Sequence, residues 1–339
     1  MAHRHRVRDI ADQAGLSEAT VDRVLHHRPG VSVRATRAVH RAIADLDRQA
    51  GQLVLTGRSL VADLVMAAPE RFTTVVLAAF ESEAAMLRPA LVRLRYDVAE
   101  SVDLEQMARR LERLARRGSD GVLLKAPDVP VVAQAVDALL AAGIPVITLV
   151  TDLPTTARHA YVGVDNAAAG ATAAYLLDLV LGEGPGDVLV PLSRAAFLGE
   201  EQRAVGFEAE LARVRPSASV VRIEGTDGLD ATMRSLAAVA LSANPGVTAV
   251  YSPGGANRGT LAAFADVDRP VRGFVAHDLD EDNVALLREG RLTAVLHHDL
   301  RRDARRALRG LLQVQGLLPG RPVSVPSPIV VVTPHNLPT

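Results

Sequence analysis

The 339-residue chain contains no cysteine. That excludes disulfide cross-links, thiolate zinc sites, iron–sulfur clusters and cysteine nucleophiles. Aromatic residues make up only 3%, so the cores must be aliphatic, built from Ala, Val and Leu. No apolar run approaches the roughly 18 residues of a membrane-spanning helix. The start, Met1 to Arg6, lacks the apolar stretch of a secretory signal, and a cytoplasmic protein is expected. Lys125 is the only lysine, and it lacks the glycine that a P-loop places before it. Gly182-x-Gly184-x-Gly186 precedes a strand-like run instead of following one, the wrong context for a dinucleotide fingerprint. H-E-x-x-H and G-x-S-x-G are absent as well. These gaps point away from an enzyme and imply no cofactor, no catalytic residues and no metal.

Length alone suggests two or three domains. The formal net charge of −1 conceals a split. Residues 1–58 hold ten arginines against six acids, a net of +4, together with five of the ten histidines. The remainder holds 28 basic and 33 acidic residues, a net of −5. A small basic head on an acidic body is the asymmetry expected of a nucleic-acid-binding module joined to something else.

In the head, Arg8 to Gln13 reads as a short helix with Ile10, Ala11 and Ala14 as small apolar positions. Gly15 suits a helix end that needs positive φ, and Ser17 suits the N-cap of the next helix. That helix runs from Glu18 to about His26, with Val21, Val24 and Leu25 at inward spacing. Ser32 can cap a third helix, about Val33–Asp47. Two short helices joined by a glycine-containing turn form the helix-turn-helix pattern.

The stretch Val7-Arg8-Asp9-Ile10-Ala11-Asp12-Gln13-Ala14-Gly15-Leu16-Ser17-Glu18-Ala19-Thr20-Val21-Asp22-Arg23-Val24-Leu25 closely resembles the head of LacI/GalR-family transcriptional regulators. The continuation through Val31-Ser32, Thr36-Arg37 and Ala42 to Leu46 does so too. The resemblance implies that the second helix enters the major groove of double-stranded operator DNA. Glu18 and Ala19 match the family's base-reading pair, Arg23 a third reading position, and Ser17 and Thr20 its phosphate contacts. The chemistry suits those roles: an arginine can hold a guanine edge, a glutamate can accept from a cytosine amine, and an alanine can touch a thymine methyl. Arg6, Arg34 and Arg37 are candidates for phosphate contacts. Asp22 and His26 depart from the family's usual serine and asparagine. The link departs further, because residues 49–58 lack the family's Pro-Asn and look about two residues short. Leu55 sits where the family inserts a wedge leucine into the minor groove; Leu53-Val54-Leu55 reads equally as a β-like linker.

Beyond Ser59, short apolar runs alternate with helical stretches. Strand-like runs include Leu60–Met66, Gly121–Leu124, Pro145–Val150, Tyr161–Val164, Asp187–Leu192, Val220–Ile223, Ala249–Tyr251, Val271–Ala276 and Leu292–Leu296. Such alternation means βαβ units and parallel sheets, too many for one sheet. The expected fold is a small all-α helix-turn-helix head, residues 1–48, a linker over 49–58, and an α/β body of two Rossmann-like lobes over 59–339. The order resembles the type I periplasmic-binding-protein fold of ribose and galactose binders, with Tyr161-Val162-Gly163-Val164-Asp165-Asn166, Gly170 and Arg203-x-x-Gly206-Phe207 among its landmarks. By that resemblance the N-lobe covers about 59–157 and 279–322, and the C-lobe about 158–278 and 323–339.

In such sheets a ligand sits at the carboxyl ends of the strands. Asp152 and Asp278 follow strand-like runs and match the family's hydroxyl-gripping aspartates. Arg203 matches an arginine on a C-lobe helix, and His297 falls where the family often has glutamine. Lys125, Asn257 and Asp128 are further candidates, and Phe72 is a candidate sugar-stacking aromatic. The expectation is a homodimeric repressor controlled by a sugar or polyol. Two alternatives stay open: a ligand-binding protein whose head no longer reads DNA, and an effector that is a sugar phosphate or other anion.

Overall fold

A computed structural model of the chain describes residues 5–55, 59–87, 91–100, 103–184, 186–192 and 197–337. Helix α1 (Val7–Ala14) ends on Gly15 at φ 64°, a left-handed conformation that glycine adopts without strain. Ser17 caps α2 (Glu18–Leu25), its hydroxyl accepting the Thr20 N–H at 3.3 Å. Helix α3 (Val33–Leu55) starts behind Ser32, whose hydroxyl accepts the Ala35 N–H at 3.2 Å. Ile10, Ala11, Val21, Val24, Val39 and Ala42 interlock as the head's core.

The third helix does not stop near Asp47, and the β-like linker is not formed: residues 49–55 continue α3. Nothing in Leu46–Leu55 breaks a helix. Proline is absent, and the one glycine, Gly51, costs only about 1 kcal/mol relative to alanine.

In the body, β1 (Ser59–Ala67), β2 (Leu91–Ala99), β3 (Gly121–Lys125), β4 (Val146–Leu149) and β5 (Ala160–Val162) form a parallel sheet in the order β2-β1-β3-β4-β5. Helix α4 (Glu70–Met86) covers one face; α5 (Leu104–Arg117) and α6 (Pro130–Ala141) cover the other. A second sheet comprises β6 (Asp187–Pro191), β7 (Val220–Ile223), β8 (Val247–Ser252), β9 (Gly273–His277), β10 (Ala294–His297) and β11 (Val330–Val332), in the order β11-β10-β9-β8-β6-β7. Its strands are parallel except for β11, which pairs antiparallel to β10. Helices α7 (Asn166–Leu181) and α8 (Leu198–Val214) cover one face, and α9 (Asp230–Ala243), α10 (Asn257–Asp266) and α11 (Glu281–Arg288) the other. Helix α12 (Leu300–Val314) returns to the first sheet and packs beside α4.

Strand pairing shifts two expected lobe boundaries. β5 pairs with β4, so the chain leaves the N-lobe after Val162 and not before residue 158. β10 pairs with β9, so the second crossing falls at His298-Asp299, twenty residues later than a boundary after Asp278. The reason is continuity of the ladder: Ala294, Val295 and Leu296 face Val275, Ala276 and His277, which closes a buried centre that a free β9 edge would expose. The third crossing runs through Ser324 and Ser327 toward β11.

Strand β2 escaped sequence reading because Arg93 and Arg95 interrupt its apolar pattern. It is a partly exposed edge strand, and Arg95 is held by the buried Asp63 carboxylate, with Nε at 2.9 Å from Oδ1. Two glycines decide how the C-lobe helices meet. A Cβ on Gly170 of α7 would lie 1.9 Å from the Arg203 carbonyl oxygen, and one on Gly206 of α8 would lie 2.2 Å from that of Ala167. Only glycine at both positions lets the two backbones touch, and this contact places Arg203.

Candidate functional site

The head presents Glu18, Ala19 and Arg23 as exposed side chains on α2, with Ser17 and Thr20 at its start. Arg34, Arg37 and Arg41 of α3 share one groove with Gly15, Leu16 and Ser32, so the turn and three guanidinium groups line a common surface. Arg6 is exposed at the start of α1. Asp22 is engaged locally: its carboxylate meets Arg28 Nη1 at 3.0 Å and His26 Nδ1 at 2.9 Å. Two departures from the expected pattern, Asp22 and His26, thus partner each other. The side chain of Leu55 lies outside the described residues.

In the body, the carboxyl ends of β1, β3, β4, β8 and β9 converge on a cleft of about 720 Å³, part of it open to solvent. Arg203 is the most constrained group in it, only 3% exposed. Its Nε donates to Asn166 Oδ1 at 2.8 Å and its Nη1 to the Pro253 carbonyl at 2.7 Å, while Asp278 Oδ2 lies 3.9 Å away. Three non-glycine residues bordering the site hold positive φ: Val150 at 66°, Asp278 at 64° and Ala256 at 59°. For a β-branched valine this is a costly conformation, and such strain concentrates at binding sites. Val150 and Asp278 both line the cleft.

Lys125 also lines it. Its ammonium donates to the Ala67 carbonyl at 3.1 Å and lies 3.7 Å from the ring centroid of Phe197. Phe72 borders the cleft and is a buried core residue, packed with Val76 and Phe80. Four of the expected residues do not line this cleft. Asp152 caps its own loop, bonding Thr148 Oγ1 at 2.7 Å, the Leu153 N–H at 2.8 Å and Arg158 Nε at 2.7 Å. Burial works against its charge, but the bonds from Arg158 and Thr148 prevail and hold its carboxyl below the usual range. It does not line the cleft; Val150 and Thr151 occupy that strand end. His297 accepts the Leu279 N–H at Nδ1, 3.3 Å, with burial lowering its pKa. Asn257 is buried against Asn283, Nδ2 to Oδ1 at 2.7 Å. Asp128 accepts from Thr155.

Several lining residues went unread. Arg71, at the start of α4, reaches across the cleft to the Gly228 carbonyl at 3.3 Å and to Asp280 Oδ2 at 3.2 Å. Asp280 is the N-cap of α11, and burial raises its pKa to about 6 despite the Asn283 N–H and Arg71. His277 bonds Tyr251 at Nε2, 2.9 Å, and burial pushes its pKa well down, so it stays neutral. Thr151 Oγ1 accepts the Gly199 N–H at 3.0 Å, a further bond between the lobes. Asp280 carried a readable signal, an aspartate just before a helical run; Arg71 and His277 carried none beyond standing near strand ends.

Residues 64–316, about three quarters of the chain, match the family model of the periplasmic binding protein domain. Residues 6–48 match that of the lacI family of bacterial regulatory proteins. The chain belongs to the periplasmic binding protein domain family, and it carries a lacI-family head. Its periplasmic-binding-protein body resembles many solved structures. The glucose-galactose binding protein GanP of Geobacillus stearothermophilus superposes with a TM-score of 0.72 at 22% identity, over 83% of this chain and all of that one. A solute-binding protein of Burkholderia graminis C4D1M, in complex with D-arabinose, gives 0.72 at 24% identity, over 83% and 97%. A carbohydrate transporter protein of Acidothermus cellulolyticus 11B, in complex with myo-inositol, gives 0.70 at 19%, over 82% and 95%. At these identities the likeness establishes the fold. No curated protein matches the chain. Neither matched family is one of enzymes. Among the described residues no helix is long and apolar enough to cross a membrane.

Proposed function

We propose that this protein is a cytoplasmic transcriptional repressor that binds a pseudo-palindromic operator as a homodimer and releases it when a sugar or polyol occupies the cleft. One observation carries the reading. The same chain presents an exposed basic helix-turn-helix surface and a cleft in which Arg203 is held by Asn166 and Pro253 beside Asp278. Arginine and carboxylate groups each bond two adjacent hydroxyls, the chemistry a polyol offers. Glu18, Ala19 and Arg23 read base edges; Arg6, Ser17, Thr20, Arg34 and Arg37 hold phosphates. Ligand control requires a ligand that binds one lobe arrangement more tightly than another, and thereby shifts the population.

Nuclease footprinting of the protein's own upstream DNA, with and without D-galactose, D-arabinose or myo-inositol, tests this. Protection of a palindrome that one of these sugars removes is the expected result. Lack of any protected palindrome favours a ligand-binding protein whose head no longer reads DNA, and protection that a sugar strengthens reverses the sign of control. A second reading, a sugar phosphate or sugar acid as effector, rests on three cations, Arg71, Lys125 and Arg203, in the lining. Thermal stabilisation by galactose 6-phosphate but not by galactose would select it.

A further inference from the structure

Behind Asp278 lies a buried histidine outside the cleft lining. His298 is 2% exposed, and its Nε2 is a fully buried atom with no hydrogen-bond partner among the described residues. The nearest carboxylate atom to it is Asp278 Oδ1, at 3.8 Å, beyond hydrogen-bond reach. The other ring nitrogen is tightly held: Nδ1 lies 2.5 Å from Asp303 Oδ2. An ionised carboxylate only accepts, so this bond places a proton on Nδ1 and fixes the ring's orientation. In the neutral ring Nε2 then faces Asp278 with a lone pair.

Asp303 also reaches the chain crossings. Its Oδ1 accepts from the Ser327 hydroxyl, and Arg306 Nη1 donates to that hydroxyl at 2.8 Å. Ser327 belongs to the third crossing, and its backbone N–H donates to the Gly163 carbonyl at 2.8 Å, in the first crossing. His298 itself stands at the second. A continuous series of polar contacts therefore links the cleft face of Asp278 to all three crossings, broken at a single place, the 3.8 Å gap.

We propose that His298 and Asp303 are positioning residues that carry the state of the Asp278 carboxylate to the crossings. Asp278 bonds firmly to neither neighbour, with Arg203 at 3.9 Å and His298 at 3.8 Å. A hydroxyl-bearing ligand that draws this carboxylate by about 1 Å away from Nε2 or toward it weakens or strengthens the repulsion between the carboxylate charge and the Nε2 lone pair, since neither holds a proton to share. Either change alters the bond that Nδ1 makes to Asp303, and through it the hold on Ser327. Polarisation along such a chain is strongest where water is excluded, as it is here. The ligand half of this inference rests on the proposed function; the contact chain does not.

The test uses the full-length protein without ligand. Imidazole nitrogen NMR should show His298 with its proton on Nδ1, a signature lost in Asp303→Asn and kept in Ser327→Ala. Asp278→Asn, a change on the cleft side, should speed amide hydrogen exchange at Ser327 by about tenfold, and should have no further effect in the Asp303→Asn background. A proton on Nε2 in the wild type, or additive effects of Asp278→Asn and Asp303→Asn, would overturn the proposal. Should Asp303→Asn not fold, His298→Leu serves as the second background, with the same expected loss of coupling. Adding D-galactose or D-arabinose distinguishes the two claims. No effect of either sugar on wild-type exchange counts against the sugar reading alone, while the Asp278→Asn series still decides the relay.

Discussion

Arginine does two different jobs in the two halves of this molecule. In the head, Arg23, Arg34 and Arg37 stand exposed on helix surfaces. In the body, Arg203 is buried and fixed by two hydrogen bonds. An exposed guanidinium contributes little to folding and acts through a field that salt screens. A buried one is costly to remove, because its acceptors are left without donors. The difference teaches that the head's chemistry is carried on a nearly indifferent scaffold, while the cleft's chemistry is part of the scaffold.

The largest effect is expected where Arg203 is set in place. Gly170→Ala should destabilise the body by about 3 kcal/mol in denaturant unfolding, although alanine normally favours a helix. A gain in stability would show that α7 and α8 can part, and that Arg203 is held by something else. Next, Arg203→Met should lower unfolding stability by about 2–3 kcal/mol, since Asn166 Oδ1 and the Pro253 carbonyl lose their donor. Arg23→Met should leave stability within about 0.5 kcal/mol of wild type. Equal losses for the two would collapse the comparison.

Asp280 sharpens it with pH. Its folded pKa, about 6, stands above the ordinary aspartate value, so the native state holds the proton more tightly than the unfolded chain. Its contribution is therefore fully present below the unfolded pKa and is lost as pH rises through about 6. Asp280→Asn should flatten the stability profile across that window by up to about 2 kcal/mol. A parallel, undiminished slope in the variant would assign the pH dependence elsewhere. In the head, Arg23→Met should cost about 1–3 kcal/mol of operator discrimination, measured by anisotropy against a mismatched site. Ser17→Ala has the smallest expected effect: losing the cap of α2 should cost about 1 kcal/mol in the head's thermal melt.

Much of this was legible in the residues. Gly15, Ser17 and Ser32 mark the head's turn and caps because capping is local chemistry. The buried strands showed themselves as unbroken aliphatic runs. What stayed hidden depended on distant partners. Asp152 looks like a cleft carboxylate until Arg158, six residues on, folds back over it. Strand β2 looks polar until Asp63, from the neighbouring strand, neutralises Arg95. Arg71 declares itself only when Gly228 and Asp280 come across from the other lobe. The family resemblance placed Arg203 and Asp278 at the cleft; it could not say that Asp278 would stand between two groups it does not quite reach.

The unbroken course of α3 has a mechanical consequence. At about 1.5 Å and 100° per residue, a helix works as a screw as well as a rod. Its 23 residues leave only positions 56–58 before β1. Lengthening it just after Asp47 by one residue at a time should therefore turn the head out of phase with the body and back again. Operator affinity should rise and fall with a period near 3.6 residues. A slack tether would give a smooth decline instead, so the periodicity itself measures how stiffly the two halves are joined.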